Sequence, residues 1–273
     1  MALLNDTPNN TQTTPTQPQP PGQNWLDQEK DTIMIYGPPK AGKTWAYCSI
    51  IEHTINKGGN IHIINTDGGV SRTFKQYFEQ NHSKIKNKTK LYFADNIKKL
   101  FDIIPQIKKE VKPNDTIIID LLSDIWELSQ HRFMEEASGG NIIDFIYNAS
   151  KDRAKFGLFE AMKWNYIKKL DNYIIEQLII SPPCMIIGIC AEKDLEVEKE
   201  ISKTKYIKTD FDVTGARPAG QKQLSYKFNT IIYLNKTEKG HYFQIVGDRG
   251  SVTNTNHISF EKNFYEKFLE VRK

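Results

Sequence analysis

The run Thr32-Ile33-Met34-Ile35-Tyr36-Gly37-Pro38-Pro39-Lys40-Ala41-Gly42-Lys43-Thr44-Trp45 decides how the rest of the chain is read. Its first five residues are mostly β-branched, apolar or aromatic, the make-up of a short buried strand. Gly37 to Thr44 then matches G-x-x-x-x-G-K-[ST] in full, directly after a strand and opening a helix. That helix is expected over about 43–57, ending at Gly58-Gly59. Glycines let the backbone curl so that several N–H groups point at one anion, and the helix N-terminus adds positive potential. Gly37, Pro38, Pro39, Lys40, Ala41, Gly42, Lys43, Thr44 and Trp45 are therefore the expected phosphate-binding segment. Lys43 is expected to reach the β- and γ-phosphates and the Thr44 hydroxyl to ligate Mg²⁺.

Outward from this segment, strand and helix alternate. Ile61-His62-Ile63-Ile64 and Leu91-Tyr92-Phe93-Ala94 read as strands, with a helix near 71–80 between them. Ile97, Leu100, Ile103, Ile104 and Ile107 have helical spacing over 96–111. Thr116-Ile117-Ile118-Ile119-Asp120 and Cys184-Met185-Ile186-Ile187-Gly188-Ile189-Cys190 lack polar alternation, so both are expected to be buried on two faces, as in a parallel sheet. The stripe Phe159, Met162, Tyr166, Leu170, Ile174, Leu178 predicts a long helix. Thr230-Ile231-Ile232-Tyr233-Leu234 and Tyr242-Phe243-Gln244-Ile245-Val246 read as an antiparallel hairpin on the sheet edge. The expected fold is α/β, a mainly parallel sheet between helices with a C-terminal antiparallel hairpin.

The 273 residues suit one such domain over 25–273. Residues 1–24 differ: they hold one charged residue, Asp6, and five of the twelve prolines. Such a Pro/Thr/Gln/Asn-rich tract buries too little apolar surface to offset its ordering entropy and is expected to be a disordered tail. It has no basic start followed by an apolar run, so no secretory signal is expected. With no window long and apolar enough to span a bilayer, the expectation is a cytoplasmic protein with no membrane partner. Cys48, Cys184 and Cys190 lie in apolar stretches and read as reduced core residues; the six histidines have no paired-ligand spacing. A formal charge of +4 is too mild to establish a nucleic-acid partner.

A phosphate-binding loop also needs a carboxylate near the metal. Asp120 closes its strand at the edge where open α/β sheets bind ligands, and is the expected Mg²⁺ partner; its alternative is to cap the helix that begins at Leu121-Leu122. Asp124 is the weaker candidate and is read as a solvated helix residue. Asp67, ending Ile63-Ile64-Asn65-Thr66-Asp67, could orient the attacking water, although Asp-Gly-Gly is also ordinary turn chemistry. Glu192, with Lys193 beside it, could polarise water or sense the γ-phosphate, or be a solvated strand end.

Taken in order, GPPKAGKT (37–44), IINTDGG (63–69), DTIIIDLLSDIWE (115–127), the Trp164 helix and MIIGICAEKD (185–194) resemble the RecA-like ATPases, in the compact single-domain form of phages and archaeal viruses or plasmids. The resemblance covers roughly 30–250, including Gly215 to Lys222, Tyr226-Lys227-Phe228, the hairpin and Gly247-Asp248-Arg249-Gly250. It implies ATP and Mg²⁺ as cofactors, Asp67 in the place of the usual catalytic Glu, and Glu192 where RecA has a Gln sensor. It also implies a homo-oligomer in which Arg217, Lys222 or Arg249 reaches a neighbour's nucleotide. A DNA partner, single-stranded by preference, would meet residues 136–157 (Lys151, Arg153, Lys155) or 193–214, where Lys199, Lys203, Lys205 and Lys208 interleave with Tyr206 and Phe211. Glu196, Glu198 and Glu200 among those lysines leave a solvated face as the alternative. Lys84, Lys86, Lys88 and Lys90 read as a basic surface loop. A packaging or translocation motor and a nucleotide-gated binding module with little turnover stay open beside the ATPase.

Overall fold

The computed structural model describes residues 30–79, 82–139, 153–195, 211–250 and 257–272. Strand β1 (Thr32–Gly37) is buried along its whole length. Ile33 and Ile35 enter one apolar cluster and Met34 and Tyr36 another, because successive side chains on a strand point to opposite faces. Strands β2 (Ile61–Asn65) and β4 (Thr116–Asp120) are likewise buried throughout, and β5 (Met185–Asp194) is buried over its central residues. Cover on both faces is what removes polar alternation from these sequences.

Strands β3 (Thr89–Phe93), β7 (Thr230–Thr237), β8 (Gly240–Asp248) and β9 (Ile258–Phe260) complete the order β3-β2-β4-β5-β1-β7-β8-β9. Neighbours from β3 to β7 are parallel, whereas β7–β8 and β8–β9 are antiparallel. A further short strand, β6 (Ala216–Pro218), runs antiparallel to the end of β5. Helix α1 (Lys43–Asn56), α2 (Val70–Phe78), α3 (His82–Lys88) and the C-terminal α7 (Phe264–Val271) cover one face, supplying Ile50, Phe78, Ile85 and Phe264 to its core. Helices α4 (Ile97–Glu110), α5 (Leu122–Ser138) and α6 (Arg153–Ile175) cover the other with Leu100, Ile125 and Ile174. Helix α4 starts where Asn96 Oδ1 accepts from the Lys99 N–H at 3.0 Å, a side-chain cap. Its apolar stripe is buried as the spacing predicts.

The expected α/β architecture is the observed one, with four local corrections. The hairpin does not form the sheet edge: β7 lies beside β1 and the three-residue β9 is outermost. Strands β6 and β9, three residues each, are too short to carry a period-2 signal. The basic run at 84–90 is not a loop but α3 and the start of β3, because Ile85 packs into the core. There Lys90 pairs with Glu110 at 2.7 Å. Finally, Phe211 is 3% exposed and sits edge-on to Tyr36, with ring centroids 5.9 Å apart, so it is a core residue and no platform for a base.

The tail at 1–24 lies outside the described residues, as do 140–152 and 196–210, which hold most of the two stretches expected to meet DNA. Among the described residues no helix is long and apolar enough to cross a membrane.

Candidate functional site

Parallel strands end together, and here they gather the chemistry at one edge. Gly37 is in register with Ala191, Asn65 with Asp120, and Asp120 with Ile189. The loop after Gly37, the turn after Asn65, Asp120 itself and Glu192 therefore share the carboxyl edge of the sheet, where open α/β folds bind ligands.

The loop's glycines are required by its neighbours. A Cβ on Gly37 would stand 2.0 Å from the Leu234 carbonyl oxygen of β7. Gly42 has φ +95° and faces His241, whose Nδ1 would lie 2.8 Å from an added Cβ. Gly42 offers no side chain to cap α1, so the first amides of that helix keep their N–H groups for an external acceptor. Lys43 Nζ donates to the carbonyls of Gly37 (2.7 Å) and Pro38 (2.9 Å), arching over the loop. Burial lowers the Lys43 pKa, while nearby Asp120 and Glu192 push it back up. A groove of about 1060 Å³ opens from the loop, walled by Lys40, Trp45, Lys239, His241 and Lys262. Trp45 forms part of this wall, edge-on to Tyr77 at 4.8 Å with the Lys262 ammonium over its ring.

Asp120 is buried, and its Oδ2 accepts a 2.8 Å hydrogen bond from the Tyr47 hydroxyl. Thr44 stands three residues before Tyr47 on the same face of α1. Asp120 does not cap α5, whose N-cap is Leu121 with no side-chain bond. Burial raises the Asp120 pKa to about 6, against the Tyr47 bond, which lowers it. Thr44 and Asp120 are hard oxygen donors, and among the described residues no cluster of three His, Cys, Asp or Glu forms a metal cage. One carboxylate and one hydroxyl fit Mg²⁺, which keeps several waters and takes its remaining ligands from a substrate's phosphates.

Asp67 lies two residues beyond the end of β2, is exposed, and accepts the Gly69 N–H at 2.8 Å. That is the turn chemistry of Asp-Gly-Gly, although the carboxylate is still close enough to raise the pKa values of Asp120 and Asp124. Asp124 is not a solvated helix residue: it is half-buried and its Oδ2 accepts from Thr66 Oγ1 at 2.7 Å. Glu192 is half-buried, one residue beyond the partner of Gly37, and its buried Oε2 has no hydrogen-bond partner among the described residues. Burial, and then the nearby Glu192 charge, push the Tyr233 hydroxyl up to about 12.

Of the basic candidates, Arg217 sits on β6 in register with Lys193 and donates to the Pro218 carbonyl at 3.2 Å. Lys222 is exposed on the turn before Leu224. Arg249 is bound to the Tyr226 carbonyl at 2.6 Å by the N-terminal end of β7, at the opposite edge of the sheet. Cys48, Cys184 and Cys190 are free and buried.

Two residues of the site escaped the sequence reading. Tyr47 holds the Asp120 side chain, and His241 Nδ1 lies 2.9 Å from the Ala41 carbonyl, bracing the loop from β8. Neither stands in a motif; Tyr47 reads as a core residue of α1 and His241 as one of six scattered histidines.

The chain is similar to the solved RadB recombinase at 15% identity, over 85% of this chain and 88% of that one, with a TM-score of 0.48. At that score the likeness carries no argument about activity. No curated protein matches the sequence. The family model described as an AAA domain matches residues 29–263, nearly all of the chain beyond the tail. With a complete phosphate loop, a buried carboxylate at the end of β4 and this match, the chain belongs to the AAA-domain family of P-loop ATPases.

Proposed function

We propose that the protein is a RecA-like, Mg²⁺-dependent ATPase that couples nucleotide turnover to DNA. The observation that carries the reading is the gathering of the phosphate loop with Lys43 arched over it, Asp120 and Glu192 at the carboxyl edge of the same parallel strands. The loop amides and Lys43 would hold the phosphates, Thr44 and Asp120 the metal, which supplies charge neutralisation for the phosphoryl group when bound. Hydrolysis joins a water oxygen to the γ-phosphorus as the bond to the β-phosphate oxygen breaks, and the water's proton needs an acceptor. Glu192 is the better acceptor, because Asp67 is engaged in its own turn and exposed whereas Glu192 Oε2 is buried without a partner among the described residues. Arg217 or Lys222 of a neighbouring copy would stabilise charge growing on the phosphoryl group, making the active form an oligomer.

The test is ATP hydrolysis with and without Mg²⁺ and single-stranded DNA, in the wild type and in Lys43→Ala. Metal-dependent turnover that the strand stimulates and Lys43→Ala abolishes is the expected result. Turnover untouched by Lys43→Ala overturns the reading of the loop, and turnover indifferent to DNA overturns the coupling. The capture of Asp67 by Gly69 favours one second reading, a nucleotide-gated module. Tight ATP binding with negligible turnover under every condition would select it.

A further inference from the structure

We infer that Tyr47 is a positioning residue for the metal that accompanies the nucleotide, its hydroxyl holding the Asp120 carboxylate in one orientation. The inference rests on the nucleotide reading above. Thr44 and Tyr47 stand three residues apart on α1, and that spacing puts both side chains on one face of a helix. Asp120 reaches the same point from β4, across β5, at a sequence separation of 73 residues. The Tyr47 ring has no exposed surface and lies edge-on to Phe74 at 6.1 Å, so its hydroxyl is held by packing on all sides.

From that fixed position the O–H donates to Asp120 Oδ2 at 2.8 Å. A carboxylate free at both oxygens rotates and can grip an ion with either or both. With Oδ2 occupied by the Tyr47 bond, Asp120 has Oδ1 left to face an ion. Outer-shell hydrogen bonds of this kind to ligating carboxylates typically govern metal affinity by about 10- to 100-fold. The Tyr47 hydroxyl is fully buried and donates to Asp120, so its influence on an ion would run through Asp120.

The experiment uses the full chain, Mn²⁺ as the metal probe followed by electron paramagnetic resonance, and a non-hydrolysable ATP analogue. Tyr47→Phe removes one oxygen and keeps the ring. The expected result is Mn²⁺ binding to the protein–nucleotide complex weakened about 10- to 100-fold. Metal-free analogue binding should change by less than about threefold, a split that a general loosening of the fold would not produce. Unchanged Mn²⁺ affinity, or an equal loss of metal-free nucleotide binding, overturns the inference.

Asp120→Asn with and without Tyr47→Phe gives an independent reading, also usable if the single Tyr47→Phe chain is unstable. If Tyr47 acts through Asp120, adding Tyr47→Phe to Asp120→Asn costs no further Mn²⁺ affinity; a full multiplicative loss would show separate action and overturn the proposal. A wild type that binds neither analogue nor Mn²⁺ would instead overturn the nucleotide reading itself, and this inference with it.

Discussion

The imidazole of His241 meets the carbonyl of Ala41 at 2.9 Å, so that a residue opening β8 holds the phosphate loop 200 positions earlier. The Ala41 oxygen accepts, which makes Nδ1 the protonated nitrogen. With that carbonyl turned toward β8, the neighbouring amides of the loop are free to face an anion.

Removing this brace should loosen the loop without touching the reacting groups. His241→Ala is expected to raise KM for ATP about three- to tenfold and leave kcat within about twofold, in line with one hydrogen bond worth about 1 kcal/mol. His241→Asn, which restores an N–H near the Nδ1 position, should recover most of the loss. Steady-state kinetics on the three proteins decide the matter, and a fall in kcat alone would place His241 in the chemistry instead.

Water activation separates the two acidic candidates. Glu192→Gln should lower kcat by about 100-fold or more, the scale of a lost proton acceptor, and leave nucleotide binding nearly unchanged. Asp67→Asn should cost less than about tenfold, since its carboxylate is committed to Gly69 and open to solvent. The reverse order of effects would return the role to Asp67.

Gly37 tolerates no side chain. Gly37→Ala would drive a Cβ to within 2.0 Å of the Leu234 carbonyl oxygen, a backbone atom in the middle of the sheet that cannot step aside. A loss of about 3 kcal/mol or more is expected, read as a large fall in denaturant midpoint or as failure to fold.

Asp171 gives a pH signature unconnected to the site. It is 2% exposed on α6, its Oδ2 has no hydrogen-bond partner among the described residues, and burial raises its pKa to about 7 from 3.8. A raised folded-state value means that the folded chain holds this proton more tightly than the unfolded one. The stability it confers is complete below the unfolded value of 3.8 and is lost as pH climbs through about 7. Asp171→Asn should therefore flatten the decline in Tm across that window and raise stability at pH 8 by roughly 2–4 kcal/mol, an upper figure set by about 1.4 kcal/mol per pKa unit. Equal Tm profiles for the two proteins would mean that the carboxyl finds a partner in solution.

Local chemistry was legible along the chain. A phosphate loop is a property of eight consecutive residues, and Gly37 to Thr44 declare it by backbone freedom, one ammonium and one hydroxyl. The buried strands were legible for the same reason: Ile117-Ile118-Ile119 lacks alternation because both faces are covered, and the stripe from Ile97 to Ile107 follows the helical period. Only the tertiary structure decided which side chains meet across the sheet. Tyr47 on Asp120, His241 on Ala41, Leu234 against Gly37 and Phe211 on Tyr36 are contacts between segments far apart in the chain. Such contacts depend on strand order and register, which no local pattern encodes. The sequence alone thus determined the phosphate loop and the parallel sheet that carries it. Folding decided which hydroxyl meets the Asp120 carboxylate, which histidine braces the loop, and which of two acids keeps a buried oxygen unpaired among the described residues.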